Sequence, residues 1–272
     1  MLIDTHCHIN MMVKKEFDRA LTADELAAAK TIVDEAHLDD VTGIINVGTS
    51  LIESINCIWL AESYHAIYAA VGIHPNDLTA NWHEDLKQLT PYIKQAEKNK
   101  IVAIGECGLD RHYPDYNIQR QYDAFKAQIE IALEYDLALI VHTRDAGQET
   151  LRSLEEFKGQ IKRGVIHCFS EDQYFADEVL KMGFVIGIGG TLTYLKNDTL
   201  RSIAKTIALE KIVLETDAPF LPPQSMRGQQ NHPRQIATVA QYLADLREQS
   251  FEEIGRQTTH NAQTLFALPQ KS

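Results

Sequence analysis

The chain is poor in cysteine: Cys7, Cys57, Cys107 and Cys168 are all it has, and none forms a C-x-x-C pair. That excludes a disulfide-stapled scaffold and a cysteine-ligated zinc module. Basic residues are also in deficit, 26 Lys and Arg against 38 Asp and Glu, for a net charge of −12. Such a surface does not grip a polyanion by phosphate neutralisation alone, although bound cations can supply positive charge inside one cleft. No apolar run is long enough to span a membrane. No cleaved leader is expected, because the candidate site already begins at His6 and would not survive cleavage. The cytoplasm is therefore the expected location. The 14 glycines and 8 prolines do not cluster into a linker, and low-complexity tracts and repeats are missing, so one domain over 1–272 is the simplest organisation. A G-x-G-x-x-G after the first apolar run is absent too, which argues against an open dinucleotide-binding sheet.

What is present is an alternation. Eight apolar, β-rich runs fall at 2–9, 43–49, 67–74, 101–109, 137–143, 164–169, 184–190 and 212–216. Most are continuously apolar, as strands buried on both faces are. Helical patterns lie between them. Thr22-Ala23-Asp24-Glu25, Ser50-Leu51-Ile52-Glu53 and Ser250-Phe251-Glu252-Glu253 fit the capping box. Tyr122, Phe125, Ile129 and Leu133 recur at helical spacing, and Gly183 reads as a helix stop. Eight strands alternating with helices in this length predict a (β/α)8 TIM barrel, with any active site at the C-terminal ends of the strands.

The chemistry gathers where that rule puts it. His6 and His8 alternate on the first strand and share a face. Glu106, His142 and His167 end strands four, five and six, and Asp217 follows strand eight. Four imidazoles and two carboxylates exceed the three protein ligands of one catalytic zinc and suit two divalent ions joined by a carboxylate. His74 ends strand three and is a candidate substrate contact, with His112 and His232 as weaker candidates in nearby loops. The cysteines beside His6, Glu106 and His167 are expected to point outward and pack as small apolar groups. The loop 10–21, with Lys14, Lys15 and Arg19, either reaches over the site or is a solvated connection.

Assembled, Asp4-Thr5-His6-Cys7-His8, Gly72-Ile73-His74-Pro75, Gly105-Glu106-Cys107-Gly108-Leu109-Asp110, His142-Thr143-Arg144-Asp145-Ala146, His167-Cys168-Phe169-Ser170 and Glu215-Thr216-Asp217-Ala218-Pro219-Phe220-Leu221 resemble the TatD family of metal-dependent deoxyribonucleases, within the amidohydrolase superfamily. The resemblance covers nearly the whole chain. It implies that His6, His8, Glu106 and Asp217 hold one metal, and that Glu106, His142 and His167 hold the other. It also implies a (β/α)8 hydrolase cutting DNA, often from the 3′ end. Arg111, Glu171 and His232 depart from the family pattern in rim loops and bear on substrate choice more than on metal binding.

The resulting expectation is a two-metal 3′–5′ exodeoxyribonuclease, active as a monomer or weak oligomer on single strands or 3′ ends. Glu106 and Asp217 are the catalytic carboxylates, and Asp217 takes the proton from the attacking water. Arg144 and Arg227 are candidate phosphate contacts, since a guanidinium forks onto two oxygens. Mixed imidazole and carboxylate ligands suit Mg, Mn, Zn or Co alike. Two rivals remain open. One is a two-metal hydrolase of an amide, lactone or ester, including an aminoacyl-tRNA ester. Against it, Glu106 stands where carboxylated-lysine enzymes carry lysine. The other is a metal-binding scaffold without turnover.

Overall fold

The computed structural model describes residues 1–14 and 16–269. Its strands are β1 (Leu2–Cys7), β2 (Val41–Val47), β3 (Ile67–Val71), β4 (Ile101–Asp110), β5 (Ala138–Arg144), β6 (Gly164–Ile166), β7 (Val185–Ile188) and β8 (Ile212–Leu214). They pair in chain order, each neighbour parallel. The ring closes just past β8. There a bridge joins Cys7 to Ala218, and the Asp217 N–H donates to the His6 carbonyl at 2.8 Å. The helices are α1 (Ile9–Met12), α2 (Ala23–Leu38), α3 (Leu51–Ser63), α4 (Trp82–Ile93), α5 (Ile118–Glu134), α6 (Gly147–Glu155), α7 (Gln173–Lys181), α8 (Asp198–Thr206), α9 (Ile236–Arg247) and α10 (Phe251–Leu265). The expected TIM barrel is the fold.

The core has two shells. The inner one fills the barrel with Ile3, Ile45, Val47, Ala70, Ala103, Ala138, Ile140, Val165 and Val213, closed from below by Leu265, Phe266 and Leu268 at the end of α10. Small residues on β3, β4 and β5 leave room for the branched ones on their neighbours, as a filled barrel requires. The outer shell packs the helices on the strands and includes Cys7, Cys57 and Cys107. Cys7 and Cys107 are packing groups, as expected, and Cys57 packs with them. Cys168 differs: it is only partly buried and lines a cavity at the rim.

Local signals account for the helix starts. The Thr22 box forms in full, hydroxyl and carboxylate both bonded to backbone. At Ser50 and Ser250 only the hydroxyl half forms. Glu53 does not turn back to cap α3, because its carboxylate is the hub of a buried cluster. Lys14 Nζ donates to both Glu53 oxygens, at 2.5 and 2.7 Å, and Asn10, Asn56 and the Asp18 N–H donate as well. The loop after β1 thus starts as α1 and is then pinned inward by Lys14. Beyond that anchor Glu16, Phe17, Asp18 and Ala20 are exposed. Arg19 pairs with Glu25, and Lys15 lies outside the described residues.

This pair makes a stability prediction. Both side chains are essentially fully buried, and removing one partner from such a pair costs about 3–5 kcal/mol. Lys14→Met should lower the denaturant midpoint accordingly, with Lys14→Met/Glu53→Leu recovering part of the loss. Equal midpoints for wild type and Lys14→Met would show that the pair contributes nothing net.

Candidate metal centre

Strict alternation alone does not deliver the ligands. Ile3 and His6 both face the barrel interior although three residues separate them, and Ala103 and Glu106 repeat that spacing on β4. Each strand carries a register shift at that point, between Asp4 and Cys7 and between Ile104 and Cys107. An irregularity of this kind re-aims the side chains beyond it. On β5 and after β6 no shift is needed: Ile140 leads by two to His142, and Val165 by two to His167. Gly105 is constrained as well. Its φ is +139°, and a Cβ there would lie 2.6 Å from the Ile140 carbonyl.

The six expected ligands converge. His6 Nε2 and His8 Nε2 are 3.2 Å apart, and Asp217 Oδ1 stands 3.7 and 3.4 Å from them. Across the site His142 Nδ1 and His167 Nε2 are also 3.2 Å apart. Glu106 lies between the two sets. Its Oε1 is 3.8 Å from His8 Nε2, while its Oε2 is 3.8, 3.6 and 2.8 Å from His6, His142 and His167. Two triads able to hold a metal, His6–His8–Glu106 and Glu106–His142–His167, share this one carboxylate.

Donors that each sit ~2 Å from one ion stand ~3–4 Å from one another, which is the spacing found. Glu106 Oε2 is buried without a well-formed hydrogen bond despite the short approach of His167. Such an atom suits a cation better than a proton donor. The surrounding contacts leave the right nitrogens inward: His8 Nδ1 is 2.8 Å from the Val47 carbonyl and His142 Nε2 is 3.1 Å from Asp110 Oδ2. A second partner of this sort fixes ring orientation and tautomer. The residues present therefore fit divalent cations.

Electrostatics agree. Burial opposes charge on His8, yet Asp217 and Glu106 outweigh it and raise the imidazole pKa to about 9. Burial opposes charge on His142 too, and Asp110 and Glu106 raise it to about 9. Burial also works against the Glu106 carboxylate, but His167, His74 and His6 hold it well below the usual range. Without a metal the carboxylates recruit protons onto His8 and His142, whereas burial and the neighbouring His167 hold His6 well below its usual value. A cation would displace the protons on His8 and His142.

Three carboxylates had no assigned role in the sequence. Asp110 accepts from His142, from Asn76 Nδ2 at 2.9 Å and from the His112 N–H at 2.8 Å. Asp4 accepts from the Thr216 N–H and hydroxyl, at 2.9 and 2.6 Å, tying β1 to the segment after β8. Glu215 points inward below the ligands, where Cys168 N–H donates to it at 2.5 Å. Its Oε1 is 3.8 Å from His167 Nδ1, and a Cβ at Gly187 would collide with its carboxylate. The signal for Glu215 was its two-residue spacing from Asp217, and for Asp110 its place at the end of β4.

His74 is where it was expected. Its ring meets that of His142 edge-on at 4.4 Å, and both line the cavity over the ligands together with His8, Glu106, His167 and Asp217. Arg144 lines a second, adjoining cavity of about 440 Å³. Arg227 lies over the ring of Tyr194, which is part of that cavity's wall. The departures point elsewhere. His232 faces Glu35 at 3.3 Å, Arg111 pairs with Glu149 at 2.7 Å, and Glu171 packs by Gly147. His112 is exposed and pairs with Asp145.

Residues 3–267 match the family model described as TatD related DNase. The chain belongs to the TatD family. The metal-dependent hydrolase YabD of Bacillus subtilis, whose function is uncharacterised, is 35% identical over 269 residues, covering 98% of this chain and 100% of that protein. The 3′-5′ ssDNA/RNA exonuclease TatD of Pantoea ananatis is 32% identical, covering 91% of this chain and 97% of its own. The crystal structure of the TatD homologue YjjV from Escherichia coli superposes with a TM-score of 0.89 at 32% identity, covering 98% of each chain. This is a family of metal-dependent hydrolases, and the convergent His, Glu and Asp groups are this chain's candidate metal-binding residues. Among the described residues no helix is long and apolar enough to cross a membrane.

Proposed function

We propose that this protein is a two-metal phosphodiesterase that removes nucleotides from the 3′ ends of single-stranded DNA. The observation that carries this reading is Glu106 lying between two ligand sets, His6–His8–Asp217 and His142–His167. One carboxylate shared by two donor sets is the arrangement expected of paired cations. Cations held there would polarise a phosphoryl oxygen and lower the pKa of a coordinated water toward ~7. Everything else falls to the chain. Asp217, with its oxygen toward the His6–His8 side, accepts the proton of the attacking water. Glu106 keeps the two sets in fixed relation. His74 and Arg144, on the walls of the two cavities, contact the phosphate, while Arg227, stacked on Tyr194, buttresses that ring rather than reaching the phosphate. The Pantoea ananatis relative, named for exonuclease action on single-stranded DNA and RNA, supports the choice of substrate and direction. One domain acting as a monomer or weak oligomer in the cytoplasm completes the reading.

The test uses protein purified without added metal. Its metal content is measured first, then its activity on 3′-labelled single strands. Chelation should abolish cleavage, and adding back Mn, Zn, Co or Mg should restore it, with products one nucleotide long from the 3′ end. Metal-replete protein that cuts neither DNA nor RNA would sink the proposal.

A further inference from the structure

The cavity beside the ligands is larger than a phosphate needs. It holds about 440 Å³ and runs from His142, His167, Asp217 and Phe220 out to Tyr194, Asn197 and Leu221. Its walls mix aromatic and aliphatic surface with a few polar groups, a lining suited to a flat heteroaromatic ring. Arg227 covers one face of Tyr194, its guanidinium carbon 4.5 Å from the ring centre. The ring itself belongs to the wall, so a stacked cation on one side supports a stacking surface on the other. Phe220 sits at the metal end, its centroid 5.9 Å from that of His8.

This wall is held in place before any ligand arrives. Arg201 reaches up from α8 and donates to the carbonyls of Leu192, Tyr194 and Leu195, at 3.4, 2.5 and 3.1 Å. Gln224 N–H donates to the Thr193 hydroxyl at 2.7 Å, locking this loop to the one after β8. Asn197 Nδ2 donates to the Thr191 carbonyl at 3.0 Å. A preorganised aromatic wall loses little on binding.

We infer that this cavity is a nucleoside pocket, in which Tyr194 stacks on the base adjoining the phosphate at the metal centre. The assignment rests on the phosphodiesterase reading and adds to it the group that accompanies the phosphate. The base lies against Tyr194 and Phe220, its phosphate faces the metal ligands, and Arg144 lies at the edge of both. Recognition by stacking tolerates any base.

Equilibrium binding to the full, Mn-loaded protein tests this without turnover. The probes are dAMP, 2-deoxyribose 5-phosphate and inorganic phosphate, titrated calorimetrically. The wild type should bind dAMP at least about fivefold more tightly than deoxyribose phosphate. Tyr194→Ala should bring that ratio to about one and leave inorganic phosphate within twofold, while Tyr194→Phe should keep it. Phe220→Ala should narrow the same ratio independently. Equal binding of dAMP and deoxyribose phosphate by wild type, or a ratio that survives Tyr194→Ala, overturns the pocket and leaves the phosphodiesterase reading standing. Failure of all three probes to bind overturns both.

Discussion

Glu106→Gln is expected to reduce hydrolysis by ~10³-fold or more, equivalent to ~4 kcal/mol of transition-state stabilisation, and to reduce bound metal below two ions per chain. The change is nearly isosteric, so the loss is of charge. Glu106 is 5% exposed and is ringed by four imidazoles that already keep it ionised. An amide offers one neutral acceptor where the carboxylate offers two anionic ones, and it cannot join two cations symmetrically. The His142–His167 set is then left with no anionic donor to offset desolvating a divalent ion, while the His6–His8 set keeps only Asp217. Metal analysis of the variant separates this from a merely catalytic defect: two ions retained at wild-type affinity would mean that Glu106 is not shared. Folding should persist, because Glu106 has no well-formed hydrogen bond to lose at Oε2.

How much of this was legible in the sequence depended on the range of the interaction. The strand runs were readable because burial on both faces writes itself into composition, and Gly183 because a helix end at φ +94° favours glycine. The convergence of the six candidate ligands was readable because a barrel brings strand ends together whatever the loops do. The register shift on β1 was not, since nothing in Ile3 to His6 marks a change of face; on β4 the lone Gly105 is the sequence signal of the break. Plain alternation succeeded for His6 and His8 only because both lie beyond the irregularity. Lys14 and Glu53 were misread for a related reason. Each looked sufficient locally, as a loop lysine and as the third residue of a capping box, and their pairing crosses 39 residues. The aromatic wall escaped for the same cause: Tyr194 acquires meaning only when Arg201 holds its carbonyl from α8 and Arg227 reaches its ring from the loop after β8.

Asp217→Asn should leave the fold and much of the metal content in place while lowering hydrolysis by ~10²–10⁴-fold, the usual range for losing a general base. Asparagine keeps an oxygen near His6 and His8, so the first ligand set retains a neutral donor, but the amide cannot accept a proton from water. The position tolerates this replacement sterically. Asp217 has φ +58°, a left-handed conformation that asparagine adopts as readily as aspartate, and its N–H still closes the barrel onto the His6 carbonyl. The distinguishing measurement is the pair of readouts together. Full metal content with activity lost places Asp217 in proton transfer. Metal lost along with activity would make it chiefly a ligand. Undiminished turnover would remove it from the reaction and assign the proton to another acceptor near the ligands, of which His74, on the wall of the same cavity, is the nearest candidate in chemistry. A biological effect of the protein that survived Asp217→Asn with hydrolysis abolished would revive the scaffold reading, because then the ligands would matter for shape and not for turnover.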